Sequence, residues 1–353
     1  MALRKPGALI LLAAGLAGCD LPTSLPRWTT DWEVVAVDQQ VTMAQLLPSG
    51  VRKDPGGFAI DSFGVVSSVR LGEVCELCTC FDGPIPGLDI TAHDWPVRLP
   101  GGVIEAQLTS GKARLVLVNE IGFDPLDDGV GGKGNFDVTL LDRYTGAVHD
   151  HLAITGKLPP GDSLAIEFDL AGRRVYSGLV ARVSGRTAGS GGCPVKLDEH
   201  SGFRAHVDLL RVVASTVDVL LTDAQLALEP RSIELPSWLA QRLRPGDARV
   251  SLDVELNSRV PTAAEVDLSV AAGPDQLFTK AAALETPFLL PMSTGSAAVD
   301  ARGLFLLQLD GVPSASRLHF AARTHITGAS TVRFTGNESL RYRLTMRAEV
   351  PSK

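Results

Sequence analysis

Two long stretches of the chain alternate strictly between apolar and polar residues. In residues 248–257 the apolar side chains are Ala248, Val250, Leu252, Val254 and Leu256, and polar residues lie between them. In residues 339–350 the same alternation runs from Leu340 to Val350. Because successive side chains of a β-strand point to opposite faces of its sheet, this pattern predicts strands that bury one face.

Further segments are predicted to be strands, separated by clusters of glycine, proline, aspartate and serine. They cover residues 32–37, 65–74, 103–118, 164–170, 203–209, 217–222, 264–270 and 317–326. Helices are predicted only at residues 42–47, 237–243 and 275–284. Many short strands with one solvated face are typical of antiparallel sandwiches, so the predicted fold class is all-β, with tandem immunoglobulin-like β-sandwiches.

The strand pattern occurs in two successive units of about 100 residues, the size of one sandwich. The first sandwich is predicted at residues 101–232 and the second at residues 248–353, with a linker at 233–247 that contains Pro245-Gly246. Residues 32–100 are predicted to form an N-terminal β segment, either part of the first sandwich or a small domain of its own.

The strand order resembles the immunoglobulin-like sandwich of late-embryogenesis-abundant and water-hypersensitivity domains. In those domains a strand runs into an Asn-Pro turn, whereas Val118-Asn119-Glu120 lacks the proline. The resemblance implies a stress-related or lipid-associated role, and fold analogy alone does not establish function.

The N-terminus has a pattern of its own. Arg4 and Lys5 precede an apolar run over residues 8–17, which ends in Leu16-Ala17-Gly18-Cys19. The run is too short to be a permanent membrane span, which needs about 20 apolar residues. This order resembles the lipobox of bacterial lipoprotein precursors. The alternative is an ordinary signal peptide followed by a chance cysteine.

The lipobox resemblance implies a signal peptide at residues 1–18 and a fatty-acylated Cys19, with residues 19–31 as the lipidated N-terminus and tether. Two or three acyl chains give stable anchoring. We therefore expect a cell-envelope protein on the inner or outer membrane, with its soluble part in the periplasm. Asp20 influences inner-membrane retention in some bacteria, and the choice of membrane stays open.

Removal of residues 1–18 takes away Arg4 and Lys5 and no acid, leaving 31 basic and 40 acidic side chains and a net charge of −9. Nucleic-acid binding needs a basic footprint, so a nucleic-acid partner is not expected. The C-terminal segment from residue 303 to 353 departs from this balance, with seven Lys or Arg against three acids.

The bases of this segment lie on the polar faces of two predicted strands. The candidates for contact with an anionic partner are Arg317, Arg323, Arg341, Arg343 and Arg347. If the two strands pair, these arginines form a basic stripe suited to anionic lipid headgroups or an acidic protein. The alternative is a solvated face neutralised by neighbouring acids such as Asp253, Glu255 and Asp267.

Besides Cys19, the chain has Cys75, Cys78, Cys80 and Cys193. In an oxidising compartment an even number of thiols predicts disulfides, and we favour two, with one bridge to Cys193. The alternatives are one disulfide with two free thiols, or a metal or redox site at the Cys75-Cys78-Cys80 cluster. A Cys78–Cys80 bridge is the least favoured pairing, because alternate strand positions point their Cβ atoms apart.

Two further groups could bind a metal ion. His149 and His151 lie two residues apart on a predicted strand and would share a face, or they are surface histidines near a hairpin. The loop containing Asp124, Asp127 and Asp128 could attract calcium, although it lacks the order of an EF-hand, and the alternative is a solvated connection.

Two strings resemble catalytic or nucleotide-binding motifs and fail on context. Residues 129–134 match GxGxxG, but a predicted strand follows where a nucleotide fold needs a helix. Ser190 lies in a glycine-rich loop without a GxSxG elbow, because residue 188 is alanine. We therefore expect a non-enzymatic interaction or structural module without a cofactor. The alternatives are a lipid- or glycolipid-binding protein and a metal or redox protein.

Overall fold

A computed structural model of the chain describes residues 29–61, 64–74, 81–198, 200–242, 249–279, 282, 284–290, 298–307 and 317–351. Its strands are, in chain order, β1 (Thr29–Thr42), β2 (Val51–Asp54), β3 (Gly57–Ile60), β4 (Gly64–Arg70), β5 (Phe81–Pro84), β6 (Asp89–Arg98), β7 (Val103–Asn119), β8 (Asn135–Asp142), β9 (Val148–Ile154), β10 (Ser163–Asp169), β11 (Arg174–Tyr176), β12 (Gly178–Arg186), β13 (Pro194–Leu197), β14 (Gly202–Ala227), β15 (Arg231–Glu234), β16 (Arg249–Ser258), β17 (Ala264–Ala271), β18 (Leu284–Leu290), β19 (Val299–Leu306), β20 (Arg317–Phe334) and β21 (Ser339–Pro351). The all-β prediction is confirmed.

Within the described residues these strands form four antiparallel sheets. Sheet A has the order β1-β21-β16-β19, and sheet C has the order β6-β12-β8-β9. Sheet B is the large one: its path is β10-β7-β14-β20-β17-β18, and β2, β3, β4, β11 and β15 join it at the side. A short ribbon of β5 and β13 completes the set.

Sheet A packs on the second half of sheet B to form the C-terminal sandwich. The alternation predicted at residues 339–350 is found in β21, whose even-numbered residues from Leu340 to Val350 are all buried. The even-numbered residues of β16 are buried in the same way. Phe288 of β18 and Phe305 of β19 meet edge-on across the two sheets, with ring centroids 6.1 Å apart. These apolar faces form the core because burial removes them from water.

Sheet C packs on the first half of sheet B to form the other sandwich. Phe136 of β8 and Phe203 of β14 make a T-shaped contact in its core, with ring centroids 5.5 Å apart. Trp95 and Val97 of β6 are buried in the same core cluster. Both sandwiches therefore use sheet B as one of their layers.

The long strand β14 connects the two halves of the molecule. Its first half pairs with β7 and β4, and its second half pairs with β20 from Val217↔Phe334 to Ala227↔Arg323. The strand changes its buried face near Arg211, which has a positive φ of 50° at a register shift. The sandwiches predicted at residues 101–232 and 248–353 therefore share a continuous hydrogen-bonded sheet.

The predicted N-terminal β segment at residues 32–100 is not a separate unit. Strand β1 pairs with β21 over its whole length, from Thr29↔Pro351 to Thr42↔Ser339, and so belongs to the C-terminal sandwich. Strands β3 and β4 pair with β14, and β6 pairs with β12. The segment is divided because its strands find partners that are far away in sequence.

The helices differ in part from the predictions. A 3₁₀ turn at Met43–Leu46 and helix α2 (Ser237–Arg242) lie where helices were predicted. The predicted helix at 275–284 is only a 3₁₀ turn, Pro274–Gln276. Phe278 then takes a positive φ of 56°, which L-residues rarely adopt inside a helix, and its amide donates to Ser269 Oγ. The strand predicted at 65–74 ends at Arg70 and is followed by the helical turn α1 (Leu71–Val74).

Candidate functional site

The outer face of sheet A, which points away from sheet B, carries charged residues in two rows that cross the strands. The first row is Asp38, Arg343, Glu255 and Arg302, and the second is Gln40, Arg341, Asn257 and Asp300. These residues are neighbours because the strands pair in register and alternate side chains point to the same face. Opposite charges therefore alternate along the first row.

Most of these polar groups have a partner. Arg341 makes two hydrogen bonds of 2.8 Å to the carboxylate of Asp38, and this contact holds the pKa of Asp38 below its usual value. Arg302 lies 2.8 Å from Glu255, and the Asn257 amide donates to Asp300 at 2.6 Å. Arg343 forms no ion pair or side-chain hydrogen bond with another described residue, although its charge also lowers the pKa of Asp38, its neighbour in the row.

A cleft of about 290 Å³ lies over these rows. Six of the residues that line it are Glu255, Asn257, Asp300, Arg302, Arg341 and Arg343. Its volume is at the small end of the range for ligand pockets. The free guanidinium of Arg343 could bind a carboxylate or phosphate group with two parallel hydrogen bonds. Glu255 and Asp300 beside it would favour a ligand that also carries hydroxyl or ammonium groups.

The single basic stripe considered from the sequence does not form. Strands β20 and β21 do not pair; they lie in sheets B and A, and their polar faces point away from each other. Arg317 pairs with Glu234, and the guanidinium of Arg323 lies 3.8 Å from the centroid of the Phe278 ring. The pairing of the two strands, on which the stripe depended, is therefore absent, and strand pairing could not be known from the sequence.

The remaining contacts fit the alternative, a solvated face whose bases are neutralised by acids of neighbouring strands, better than they fit a basic stripe. Arg347 lies 3.2 Å from Glu33 and 3.7 Å from Asp253. Asp267 lies 3.0 Å from His325 on the outer face of sheet B. Acids of neighbouring strands therefore face these bases, as that alternative predicts.

The two histidines of β9 do not share a site. A register shift in the β8–β9 pairing falls at His149, so the strand changes face between His149 and His151. Nε2 of His149 is buried and unpartnered among the described atoms, 3.9 Å from the buried Asp142. Nε2 of His151 is exposed and lies 3.4 Å from Asp137. Burial lowers the pKa of His149, and the carboxylate of Asp142 opposes this shift.

The carboxylates of the predicted calcium loop are turned toward protein groups. Asp124 Oδ1 accepts hydrogen bonds from the amides of Leu126, Asp127 and Leu158. Asp128 Oδ1 accepts from the amide of Gly132 at 2.7 Å. Asp127 lies 2.9 Å from Lys133, and hydrogen bonds from Lys133 and from the amide of Gly129 lower its pKa to about 2. Among the described residues, no three His, Cys, Asp or Glu side chains are grouped so that they could hold a metal ion.

The two motif-like strings have structural roles. Strand β8 follows the glycine loop at residues 129–134, as the sequence predicted. Gly134 is required there, because a Cβ would lie 2.2 Å from the carbonyl oxygen of Pro125. Ser190 donates to the carbonyl of Cys193 and accepts from the amide of Ile85, which ties its loop to the chain near β5.

Four of the five cysteines, Cys19, Cys75, Cys78 and Cys80, lie outside the described residues. Cys193 is exposed and its thiol is free in the structure, so the favoured bridge to Cys193 is not formed here. It precedes β13 at the end of the ribbon where Pro194 pairs with Pro84. Phe81, the first residue of β5, pairs with Leu197 at the other end.

Two buried polar residues organise loops of the first sandwich, a role that was not predicted from the sequence. Asn119 donates to the carbonyls of Phe123 and Leu158 and accepts from the amide of Ile121. Asp142 accepts from the amides of Tyr144, Thr145 and Tyr176. The sequence signal was the turn Tyr144-Thr145-Gly146 after Asp142, since Asp commonly caps such turns.

An open groove of about 710 Å³ lies beside the bulge at Arg211. Lys112, Glu167, Asp169 and Arg211 supply its charged groups, and Lys112 lies 2.6 Å from Glu167. The bulge could not be read from the sequence, because the residues on either side of Arg211 continue the apolar pattern.

Comparisons with known proteins leave the family open. No family model matches the sequence, and no curated protein matches it. The structure is similar to that of a predicted secreted protein of Parabacteroides distasonis ATCC 8503, at 9% identity and a TM-score of 0.33, over 90% of this chain and 99% of the other. It is also similar to the VP2 subviral particle of infectious bursal disease virus, at 10% identity and a TM-score of 0.23, over 87% of this chain and 76% of the other.

A third similar structure is the tandem CBM22 domain of Paenibacillus barcinonensis Xyn10C, at 8% identity and a TM-score of 0.18, over 90% of this chain and 98% of the other. The lipobox and immunoglobulin-like resemblances remain predictions. In the part of the chain that the structure describes, no helix has the length and apolar character needed to cross a membrane.

Proposed function

We propose that the protein is a bacterial envelope lipoprotein, anchored by lipid on Cys19, whose β-sandwiches form a non-enzymatic interaction or structural module. The observation that carries the proposal is the position of β1. Only nine residues separate Cys19 from Thr29, where β1 begins. Because β1 pairs along its whole length with β21, a lipid on Cys19 would hold the C-terminal sandwich itself close to the membrane.

The use of the buried polar side chains supports a scaffold role. Asn119, Asp142 and Ser190 are buried, and each hydrogen-bonds to backbone groups of neighbouring loops. The hydrogen bonds of these side chains therefore hold the loops in place. Such a rigid framework suits a protein that presents surfaces to partners.

Metabolic labelling with an alkyne fatty acid in the native host tests the anchor. We expect the wild-type protein and the Cys193→Ala variant to carry the label, and Cys19→Ala to lack it. Cys193 is the matched control because it is an exposed cysteine in the described part of the chain. Equal labelling of Cys19→Ala and wild type, or an unlabelled wild-type protein, would overturn the proposal.

A second function, binding of an anionic lipid or glycolipid headgroup, is favoured by one observation. Arg343 lines the cleft on sheet A without an ion pair to another described residue, while Arg302 and Arg341 beside it are paired. The partner would then be an anionic headgroup or an acidic group of a protein.

Titration with short-chain phosphatidylglycerol, followed by chemical shifts of arginine side chains, tests this second function. We expect Arg343→Gln to lose binding and Arg98→Gln to retain it. Arg98 is an exposed arginine on β6 in the other sandwich. Unchanged binding by Arg343→Gln removes the cleft as the site.

A further inference from the structure

Three of the exposed apolar side chains of the C-terminal sandwich lie on β19 and α2. On β19, Leu304 and Leu306 are 68% and 70% exposed on the outer face of sheet A. On α2, Trp238 is 41% exposed, while Leu239 beside it is buried. Exposed apolar groups of this size that lie together often mark an interaction surface.

Strand register places Leu306 at the end of the sandwich where β1 begins. Leu306 pairs with Ser251, Ser251 with Arg347, and Arg347 with Glu33. Glu33 is four residues from Thr29, the first residue of β1. Leu306 therefore lies in the row of side chains that crosses sheet A near the start of β1.

The connections of α2 place Trp238 at the same end. Helix α2 follows β15, which lies against β1 and whose Glu234 pairs with Arg317 at the start of β20. The next strand after α2, β16, starts at Arg249, which pairs with Glu349, two residues before the partner of Thr29. We call the end of the sandwich that carries Thr29, Trp238 and Leu306 the tether end.

The opposite end of the sandwich has its own residues. Leu290, Ile326 and Leu340 come together there. Leu289 is 76% exposed at this far end, where it pairs with Glu265. The far end thus supplies an exposed leucine on the same sandwich that serves as a control.

The length of the tether limits how far the tether end can be from the anchor. Residues 20–28 lie between Cys19 and Thr29. Fully extended, this stretch spans at most about 35 Å, roughly the thickness of a bilayer. If Cys19 carries the lipid, Thr29 lies within that distance of the headgroups.

The chemistry of the tether end suits a lipid surface. Tryptophan prefers the membrane interface, where its ring is buried and its N–H stays wet. Leucines gain free energy on leaving water, by about 25 cal/mol per Å² of apolar surface. Two pairs of opposite charge lie nearby, Glu33 with Arg347 and Glu234 with Arg317, and the row nearest the start of β1 adds Asp31, Glu349 and Arg249.

We infer that the tether end of the C-terminal sandwich rests on the bilayer, with Trp238 and Leu306 in the headgroup region. The inference rests on the lipid anchor of the proposed function and adds an orientation to it. The sandwich then stands upright on the membrane, and its far end with Leu289 points into the periplasmic space.

Quenching by brominated lipids tests this orientation in the full-length lipidated protein, reconstituted into phosphatidylethanolamine–phosphatidylglycerol vesicles. The parent variant is Trp238→Phe, and a single tryptophan is added to it as Leu306→Trp or as Leu289→Trp. We expect the emission added by Leu306→Trp to be strongly quenched and that added by Leu289→Trp to be unaffected. Comparing wild type with the parent variant gives the quenching of Trp238 itself, which we also expect to be strong.

Equal quenching at the two positions, or stronger quenching at Leu289, would overturn the inference. Absence of lipid quenching at Leu306, together with a dimeric mass in detergent, would overturn it in favour of contact between two copies of the chain. An intact-mass measurement on the same sample shows whether Cys19 is acylated. An acylated protein without quenching rejects the orientation and leaves the anchor standing, whereas a protein without acyl chains rejects the anchor.

Discussion

The hydroxyl of Tyr342 on β21 forms a hydrogen bond with the hydroxyl of Thr324 on β20 in the core of the C-terminal sandwich. Both side chains are buried, and the two strands belong to sheets A and B. It is a polar contact that joins the two layers across their apolar core. Its partners lie 18 residues apart on strands that do not pair with each other.

Removing one hydroxyl of this pair should destabilise the protein. Either Tyr342→Phe or Thr324→Val leaves a buried oxygen without its partner, at a cost of about 1–3 kcal/mol in the free energy of unfolding. The double variant should lose less free energy of unfolding than the two single variants lose together, because it leaves no buried hydroxyl without a partner. Urea denaturation of the four proteins measures the coupling, with the exposed Tyr144→Phe as control. Additive losses would contradict a direct interaction.

Substitution of Asp142 should weaken the first sandwich. Asp142→Ala removes a buried carboxylate that accepts backbone hydrogen bonds from Tyr144, Thr145 and Tyr176, and we expect a loss of roughly 3 kcal/mol. The exposed Asp162→Asn is the control and should stay within about 0.5 kcal/mol of wild type. Urea denaturation measures both, and a loss no larger than the control's would contradict this role.

Asp142 should also make the stability of the protein depend on pH in the acidic range. Burial acts to raise the pKa of Asp142, but the hydrogen bonds it accepts outweigh burial and lower the pKa below 3.8. Asp142 therefore binds a proton more readily in the unfolded chain than in the folded protein. The stability that its ionised carboxylate contributes is lost as the pH falls below about 4. Asp142→Ala should show a shallower loss of stability with acid than wild type. Parallel pH profiles of the two proteins would show that Asp142 does not carry this pH dependence.

His149 should make stability depend on pH in a milder range. Burial lowers its pKa below the ordinary 6.5, Arg173 lowers it further, and Asp142 opposes the shift. His149 therefore binds a proton more readily in the unfolded chain than in the folded protein. The stability that neutral His149 contributes above about pH 6.5 is lost as the pH falls through that value.

The comparison of His149→Gln with His151→Gln tests this dependence. His151 is an exposed histidine on the same strand. We expect the difference between urea midpoints at pH 7.5 and pH 5.5 (values of about one unit either side of the ordinary histidine pKa) to shrink in His149→Gln and to stay unchanged in His151→Gln. An unchanged difference in His149→Gln would mean that another group carries the dependence.

The cysteines give a prediction that separates the alternatives left open by the sequence. Because Cys193 is exposed and free in the structure, we expect it to react with iodoacetamide in native protein without reductant. One disulfide at most would then form among Cys75, Cys78 and Cys80, leaving a second free thiol. Peptide mapping under non-reducing conditions identifies the bridge, and a disulfide-linked Cys193 peptide would restore the favoured bridge to this residue. Metal content of the same sample tests the metal alternative.

The strands that bury one face could be predicted from the sequence, and their partners could not. The alternation in β16 and β21 is a local signal, because it follows from one buried face. The pairing of β1 with β21 joins residues about 300 positions apart, and nothing local specifies it. The basic stripe does not form for this reason, since it depended on a pairing of β20 with β21.

Bulges and positive φ angles account for other differences. Register shifts at Arg211 and His149 change which side chains share a face, although the apolar pattern around them continues. Phe278 ends the predicted helix at 275–284 through a positive φ that its residue type does not suggest. Likewise, the carboxylate of Asp38 binds Arg341 and not its cross-strand neighbour Arg343, which only the three-dimensional arrangement shows.

The mass of the N-terminal peptide, measured on protein isolated from its own membranes, tests the lipid anchor most directly. We expect a peptide that begins at Cys19 and carries a diacylglycerol thioether, with or without a further acyl chain. A peptide that starts at another residue, or one that starts at Cys19 without lipid, would contradict the anchor and the membrane orientation built on it.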